Sequence, residues 1–144
     1  MPEIRTEFEI AASPARAWHV LTDFPRYPEW NPFLVRLTGT PEVGARVDVH
    51  VKNPLLTVTF RTTVLKVELQ RELRWRGHLL HDGLVAAEHY FLIEPLAADR
   101  LRFVHGERFS GSLSSVAWRL IERDTRRGYA AMNQALTRRA EADG

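Results

Sequence analysis

The chain contains no cysteine in its 144 residues. Disulfides, thiolate metal sites, cysteine nucleophiles and iron–sulfur clusters are therefore excluded together. The absence fits a cytoplasmic location, which is the expectation. Lysine is scarce as well, with only Lys52 and Lys66, so arginine supplies nearly all of the basic charge. The net charge is only +2, from 20 basic and 18 acidic residues. The densest basic run, Arg119 to Arg127, is interrupted by Glu122 and Asp124. A concentrated basic face is missing, and no nucleic-acid partner is expected. Long apolar runs are missing too. The longest stretches free of charged side chains, Phe109 to Trp118 and Gly128 to Thr137, are equally short, whereas a membrane helix needs about 20 mostly apolar residues. Met1 to Arg5 carries no apolar signal-peptide core. Neither of the phosphate-binding glycine patterns occurs, nor does Gly-x-Ser-x-Gly. No nucleotide or other cofactor is expected, and Ser110, Ser112, Ser114 and Ser115 read as the loop and N-cap of a helix rather than as nucleophiles.

Apolar residues make up 44% of the chain and charged residues 26%, the balance of a soluble globular protein. The length predicts one domain over residues 1–144, and no linker, repeat or low-complexity tract divides it. Ile4, Thr6, Phe8 and Ile10 alternate with charged residues, as in a half-buried strand. Ser13-Pro14 predicts a helix start, and Pro25, Pro28 and Pro32 end that helix near Asp23 while leaving room for a second short helix. Strands follow from Phe33 to Thr38, through Val47, Val49 and Val51, and along a long segment ending near Glu68. In that segment Val58 and Phe60 occupy even positions, then Leu65, Val67 and Leu69 odd ones. A period-2 ladder changes face only through an extra residue, so a bulge is expected near Thr63. Leu73, Trp75 and Leu79 form the next strand, and His81-Asp82-Gly83 signals a turn. Leu84 to Glu94 and Leu101 to Phe109 pair across a loop expected at Pro95 to Arg100. Apolar positions from Ala117 to Leu136 then recur at three- and four-residue steps, predicting one long helix from about Ser115 to Glu141. A single sheet cannot bury its apolar face alone, so the long helix must lie across it.

His105 and Glu107 share a strand face with Leu101, Phe103 and Phe109, while His89, Phe91 and Ile93 form the matching row on the neighbouring strand. A hairpin through Pro95 to Arg100 is expected to place His89 near His105 or Glu107. An imidazole beside a carboxyl group is an arrangement for proton transfer, and burial would tune both. Three readings stand open: mutual hydrogen bonding inside the sheet, orientation of a ligand, and catalysis by His105 or His89 with Glu107. No metal is expected. His105-Gly106-Glu107 lacks the cysteines that accompany His-x-Glu in zinc deaminases, and no spacing specifies convergence of His78, His81 and His89. Trp18 reads as core. Asp124 either faces the sheet, with Arg61 or His105 as partner, or lies in solvent beside Arg127.

Four segments carry a family resemblance. They are Ser13-Pro14-Ala15-Arg16-Ala17-Trp18, Asp23-Phe24 to Trp30-Asn31-Pro32-Phe33, Glu88-His89-Tyr90-Phe91 to Glu94-Pro95-Leu96, and His105 to Gly111. Over essentially the whole chain, the order of elements and these segments resemble the START-like superfamily, also called SRPBCC or helix-grip, of polyketide cyclase/dehydrase and lipid-transport type. The resemblance implies an α+β fold: a curved antiparallel sheet of about seven strands around a long C-terminal helix, with two short helices between strands 1 and 2. It also implies a small hydrophobic or aromatic ligand (a lipid, polyketide or isoprenoid-like molecule) held between sheet and helix. A polyketide cyclase/aromatase-type enzyme is the alternative, and a protein-binding module using the arginine-lined helix face is a third class. Trp30 stands where the superfamily often places a gate. The expected ligand-binding set is Trp30, Phe60, Trp75, His89, Phe91, Phe103, His105, Glu107, Ile121 and Thr125, an apolar wall with a few polar groups.

Overall fold

A computed structural model describes residues 2–79 and 83–142. Seven antiparallel strands form one sheet in the order β1-β7-β6-β5-β4-β3-β2. They are β1 (Glu3–Ile10), β2 (Leu34–Thr38), β3 (Arg46–Lys52), β4 (Thr57–Glu68), β5 (Glu72–Leu79), β6 (Val85–Ala97) and β7 (Arg100–Ser110). Helix α1 (Pro14–Thr22) and a 3-10 segment (Phe24–Glu29) fill the connection from β1 to β2, and α2 (Ser114–Glu141) closes the chain. This is the helix-grip α+β arrangement. None of the described helices is long and apolar enough to cross a membrane.

Local chemistry sets the boundaries. Ser13 accepts a hydrogen bond from the Arg16 amide, and Pro14 opens α1 with its φ already helical. Tyr27 in the 3-10 segment is fully buried and donates its hydroxyl to the Leu21 carbonyl, which pins that segment beneath α1. Asn31 then accepts from the amides of Phe33 and Leu34 and turns the chain into β2.

Several expected boundaries move. The bulge falls at Leu65 rather than Thr63, because Val64 pairs with Trp75 and Lys66 with Arg74, leaving Leu65 as the extra residue. Leu65 and Leu69 are exposed, whereas Val67 packs against the core. The expected loop from Pro95 to Arg100 shrinks, since strand pairing continues through Pro95↔Leu101 and Ala97↔Arg100. Pro95 is tolerated because the register shifts beside it, where its missing N–H breaks no regular ladder. Helix α2 begins at Ser114 behind Leu113, which makes no side-chain cap, so the expected serine N-cap is not formed. His81 and Asp82 of the expected turn lie outside the described residues.

The grip is uneven along α2. Toward its C-terminus Tyr129, Met132, Leu136 and Ala140 are fully buried against the sheet and α1. Arg16 from α1 donates to the carbonyls of Arg139 and Ala142, placing a cation on the helix end where the dipole favours one. Toward the N-terminus Val116, Leu120 and Ile121 are exposed although apolar. The helix therefore seals one end of the sheet and stands away from the other.

Candidate functional site

The space left under the N-terminal half of α2 is a cavity of about 310 Å³. That volume lies at the lower end of the range for small-molecule pockets. Its walls come from β2 to β7 and from α2. Phe60, Trp75, His89, Glu107, Ile121 and Thr125 of the expected set line it. Phe33, Val49, Val51, Val58, Phe109 and Leu120 line it too, and were not expected. The alternation of Val47, Val49 and Val51 placed the valines on one face of β3, but not that face against an empty space.

Four expected residues do not line the cavity. Trp30 packs on Tyr27 at 5.0 Å and borders a separate shallow groove with Arg16, His19 and Arg139. The turn made by Asn31 presents Phe33 to the cavity instead. Phe91, Phe103 and His105 are on the inner face but fully buried. They stand where the C-terminal half of α2 closes on the sheet, behind the cavity wall.

The polar end of the cavity is built on the β6–β7 ladder, in which His89 faces Glu107 and Phe91 faces His105. The imidazole Nε2 atoms of His89 and His105 are 2.7 Å apart. His105 Nδ1 lies 2.8 Å from Asn133 Oδ1, so its two nitrogens are taken and Asp124 is not its partner. His89 Nδ1 is 3.8 Å from Glu107 Oε2. The Tyr129 hydroxyl donates to Glu107 Oε1 at 3.0 Å, and its ring stacks on His105 with centroids 3.9 Å apart. Sequence reasoning missed Tyr129 and Asn133. Their positions, four and eight residues beyond Thr125 on α2, were the available signal.

Burial acts on these groups in opposite senses. Desolvation holds His89 well below the ordinary imidazole range, and the neighbouring His105 lowers it further. Desolvation also takes His105 down to about 3, against the hydrogen bond it donates to Asn133, which raises it. The same loss of water raises the Glu107 carboxyl to about 7, although the Tyr129 hydrogen bond lowers it. Both imidazoles are thus neutral at physiological pH, and Glu107 exchanges its proton there. Among the described residues, no group of three or more His, Asp or Glu side chains is arranged to hold a metal ion.

With this geometry in view, the chain can be set beside known proteins. The sequence profile for polyketide cyclase / dehydrase and lipid transport proteins matches residues 1–141. The chain belongs to this family. The ZhuI aromatase/cyclase from a Streptomyces species superposes with a TM-score of 0.79 at 20% identity, covering 97% of this chain and 93% of that one. A START superfamily protein from Mycobacterium smegmatis gives 0.73 at 19%, covering 96% and 97%. Norcoclaurine synthase from Thalictrum flavum, a point mutant solved with a transition-state analogue, gives 0.71 at 17%, covering 96% and 93%. At these identities the likeness of this family member to each of them is one of fold. No curated protein matches the sequence.

Proposed function

We propose that the protein binds or carries a small hydrophobic or aromatic molecule in the cavity between the sheet and the N-terminal half of α2. The observation that carries this reading is the unfilled apolar volume itself, flanked by exposed Val116, Leu120 and Ile121. Protein interiors are otherwise close-packed, and apolar walls left facing space gain by closing on a ligand, at about 25 cal/mol per Å² removed from water. Native mass spectrometry of protein purified from its own host is the test. A co-purified organic mass is expected, together with a rise in melting temperature on adding apolar compounds. Ligand at 100 times its Kd stabilises the fold by about 2.7 kcal/mol. Protein that is always empty and unmoved by such compounds would overturn the reading.

A second reading, a cyclase- or aromatase-type enzyme, is favoured by one observation. A carboxyl that burial raises to about 7, Glu107, and a neutral imidazole, His89, meet on the cavity wall. They supply an acid and a base 3.8 Å apart beside a bound carbonyl compound. His105, behind the wall, would orient His89 rather than touch substrate. Under this reading His89→Ala and Glu107→Gln each abolish turnover while ligand binding persists. Unchanged turnover in both variants would remove these roles.

A further inference from the structure

The hydrogen bonds behind the cavity wall have a fixed direction, link by link. The Thr6 hydroxyl lies 2.8 Å from the carbonyl oxygen of His105. A carbonyl only accepts, so the hydroxyl hydrogen is committed there. The Thr6 oxygen in turn accepts from Asn133 Nδ2 at 2.9 Å. That sets the Asn133 amide and turns its Oδ1, an acceptor, toward His105 Nδ1 at 2.8 Å. His105 Nδ1 must then carry a hydrogen, and neutral His105 presents a lone pair at Nε2. The facing His89 Nε2, 2.7 Å away, must donate into it. Neutral His89 is left with its lone pair at Nδ1.

That lone pair looks across 3.8 Å at Glu107 Oε2, too far for a direct hydrogen bond. The other Glu107 oxygen already accepts from Tyr129. A carboxyl hydrogen on Glu107 therefore belongs to Oε2, and both Glu107 and His89 line the cavity. An acceptor and a donor so spaced fit one atom between them, about 2.8 Å from each. We infer that His89 Nδ1 and Glu107 Oε2 form a recognition site for a single hydroxyl group on a neutral, mainly apolar ligand, a phenol, enol or alcohol. The ligand oxygen accepts from Glu107, and the ligand hydrogen is donated to His89. Thr6, Asn133 and His105 are positioning residues that hold His89 in the tautomer this requires. Burial of Glu107, which keeps its carboxyl protonated toward neutral pH, supplies the donor. An ether cannot donate to His89, and a carboxylate brings a charge into a desolvated wall, so both are disfavoured.

The inference rests on the carrier reading, and the experiment separates the two. Ring ¹⁵N shifts at pH 6 are expected to show His105 protonated at Nδ1 and His89 at Nε2. The opposite tautomer at His89 overturns the hydroxyl site and leaves the cavity reading untouched. In titrations at the same pH, 2-naphthol is expected to bind about tenfold tighter than 2-methoxynaphthalene, whose ether oxygen still accepts from Glu107 but leaves His89 Nδ1 unpaired, the loss of one neutral hydrogen bond. Thr6→Val and Asn133→Ala are expected to reduce that preference below about threefold, as each releases the tautomer, with little change for 2-methoxynaphthalene. Equal binding of both probes by the parent protein sinks the hydroxyl site alone. Failure of both probes and of naphthalene to bind sinks the carrier reading with it.

Discussion

His89 and Glu107 stand across one rung of the β6–β7 ladder, and the same loss of water drives them apart in charge preference. The pH dependence of stability follows from this. Folded His89 and His105 refuse a proton that the unfolded chain takes up below about 6.5. Their contribution is complete above that value and is lost as the pH falls toward the folded values. Folded Glu107 keeps a proton up to about 7 that the unfolded chain releases near 4.5, so its contribution is complete below 4.5 and is lost as the pH rises through about 7. Between pH 5 and 6 two histidines outweigh one glutamate. Stability then rises by about 1.4 kcal/mol per pH unit, one net proton. Glu107→Gln removes the opposing proton and should steepen the rise to about 2.7 kcal/mol per unit in urea titrations. An unchanged slope would mean that Glu107 is ionised in the folded protein. At this scale much was readable in advance. Alternation alone places His105, Glu107, Phe103 and Phe109 on one face, and the structure agrees. The Tyr129 and Asn133 contacts were not readable, because which α2 side chain meets which strand depends on the helix's rotation and depth.

At the scale of elements, the uneven docking of α2 decides where the cavity lies. Gly128 marks the transition. A Cβ there would fall 2.2 Å from Phe33 Cδ1, so the glycine lets the ring at the start of β2 cross under the helix. In an isolated helix Gly→Ala gains about 1 kcal/mol. Here the ring must move, and the open side is the cavity that Phe33 lines. Gly128→Ala is expected to weaken 2-naphthol binding several-fold, with the melting temperature changed by only a few degrees. Full affinity in this variant would show that the ring escapes another way. The bulge at Leu65 is the other element-scale device. It was foreseen from the change of phase in β4, yet its position was not, because either neighbouring residue restores the apolar face.

For the whole molecule, the question is whether the empty volume serves a ligand or is merely a packing defect. Ala87 sits on the cavity floor, one strand face with His89 and close to the polar end. Ala87→Phe places a ring into existing space rather than into a packed core, so no overpacking cost is expected. Thermal melts should show stability equal to or above the parent, and 2-naphthol binding should be lost. A large drop in melting temperature would mean that the space closes in solution.

What the sequence determined by itself was the order and kind of the elements, since alternation, prolines and helical steps are local signals read within a few residues. It also put His105 and Glu107 on one side of their strand, because parity admits only two sides, but left it to the structure that this side faces inward and that His89 joins them there. The tertiary structure alone decided which inward residues meet a cavity and which meet a helix. Phe91, Phe103 and His105 carry the same pattern as Phe60, Trp75 and His89. They differ only in lying under the tightly docked half of α2, and the angle of that docking is set by contacts far apart in the chain.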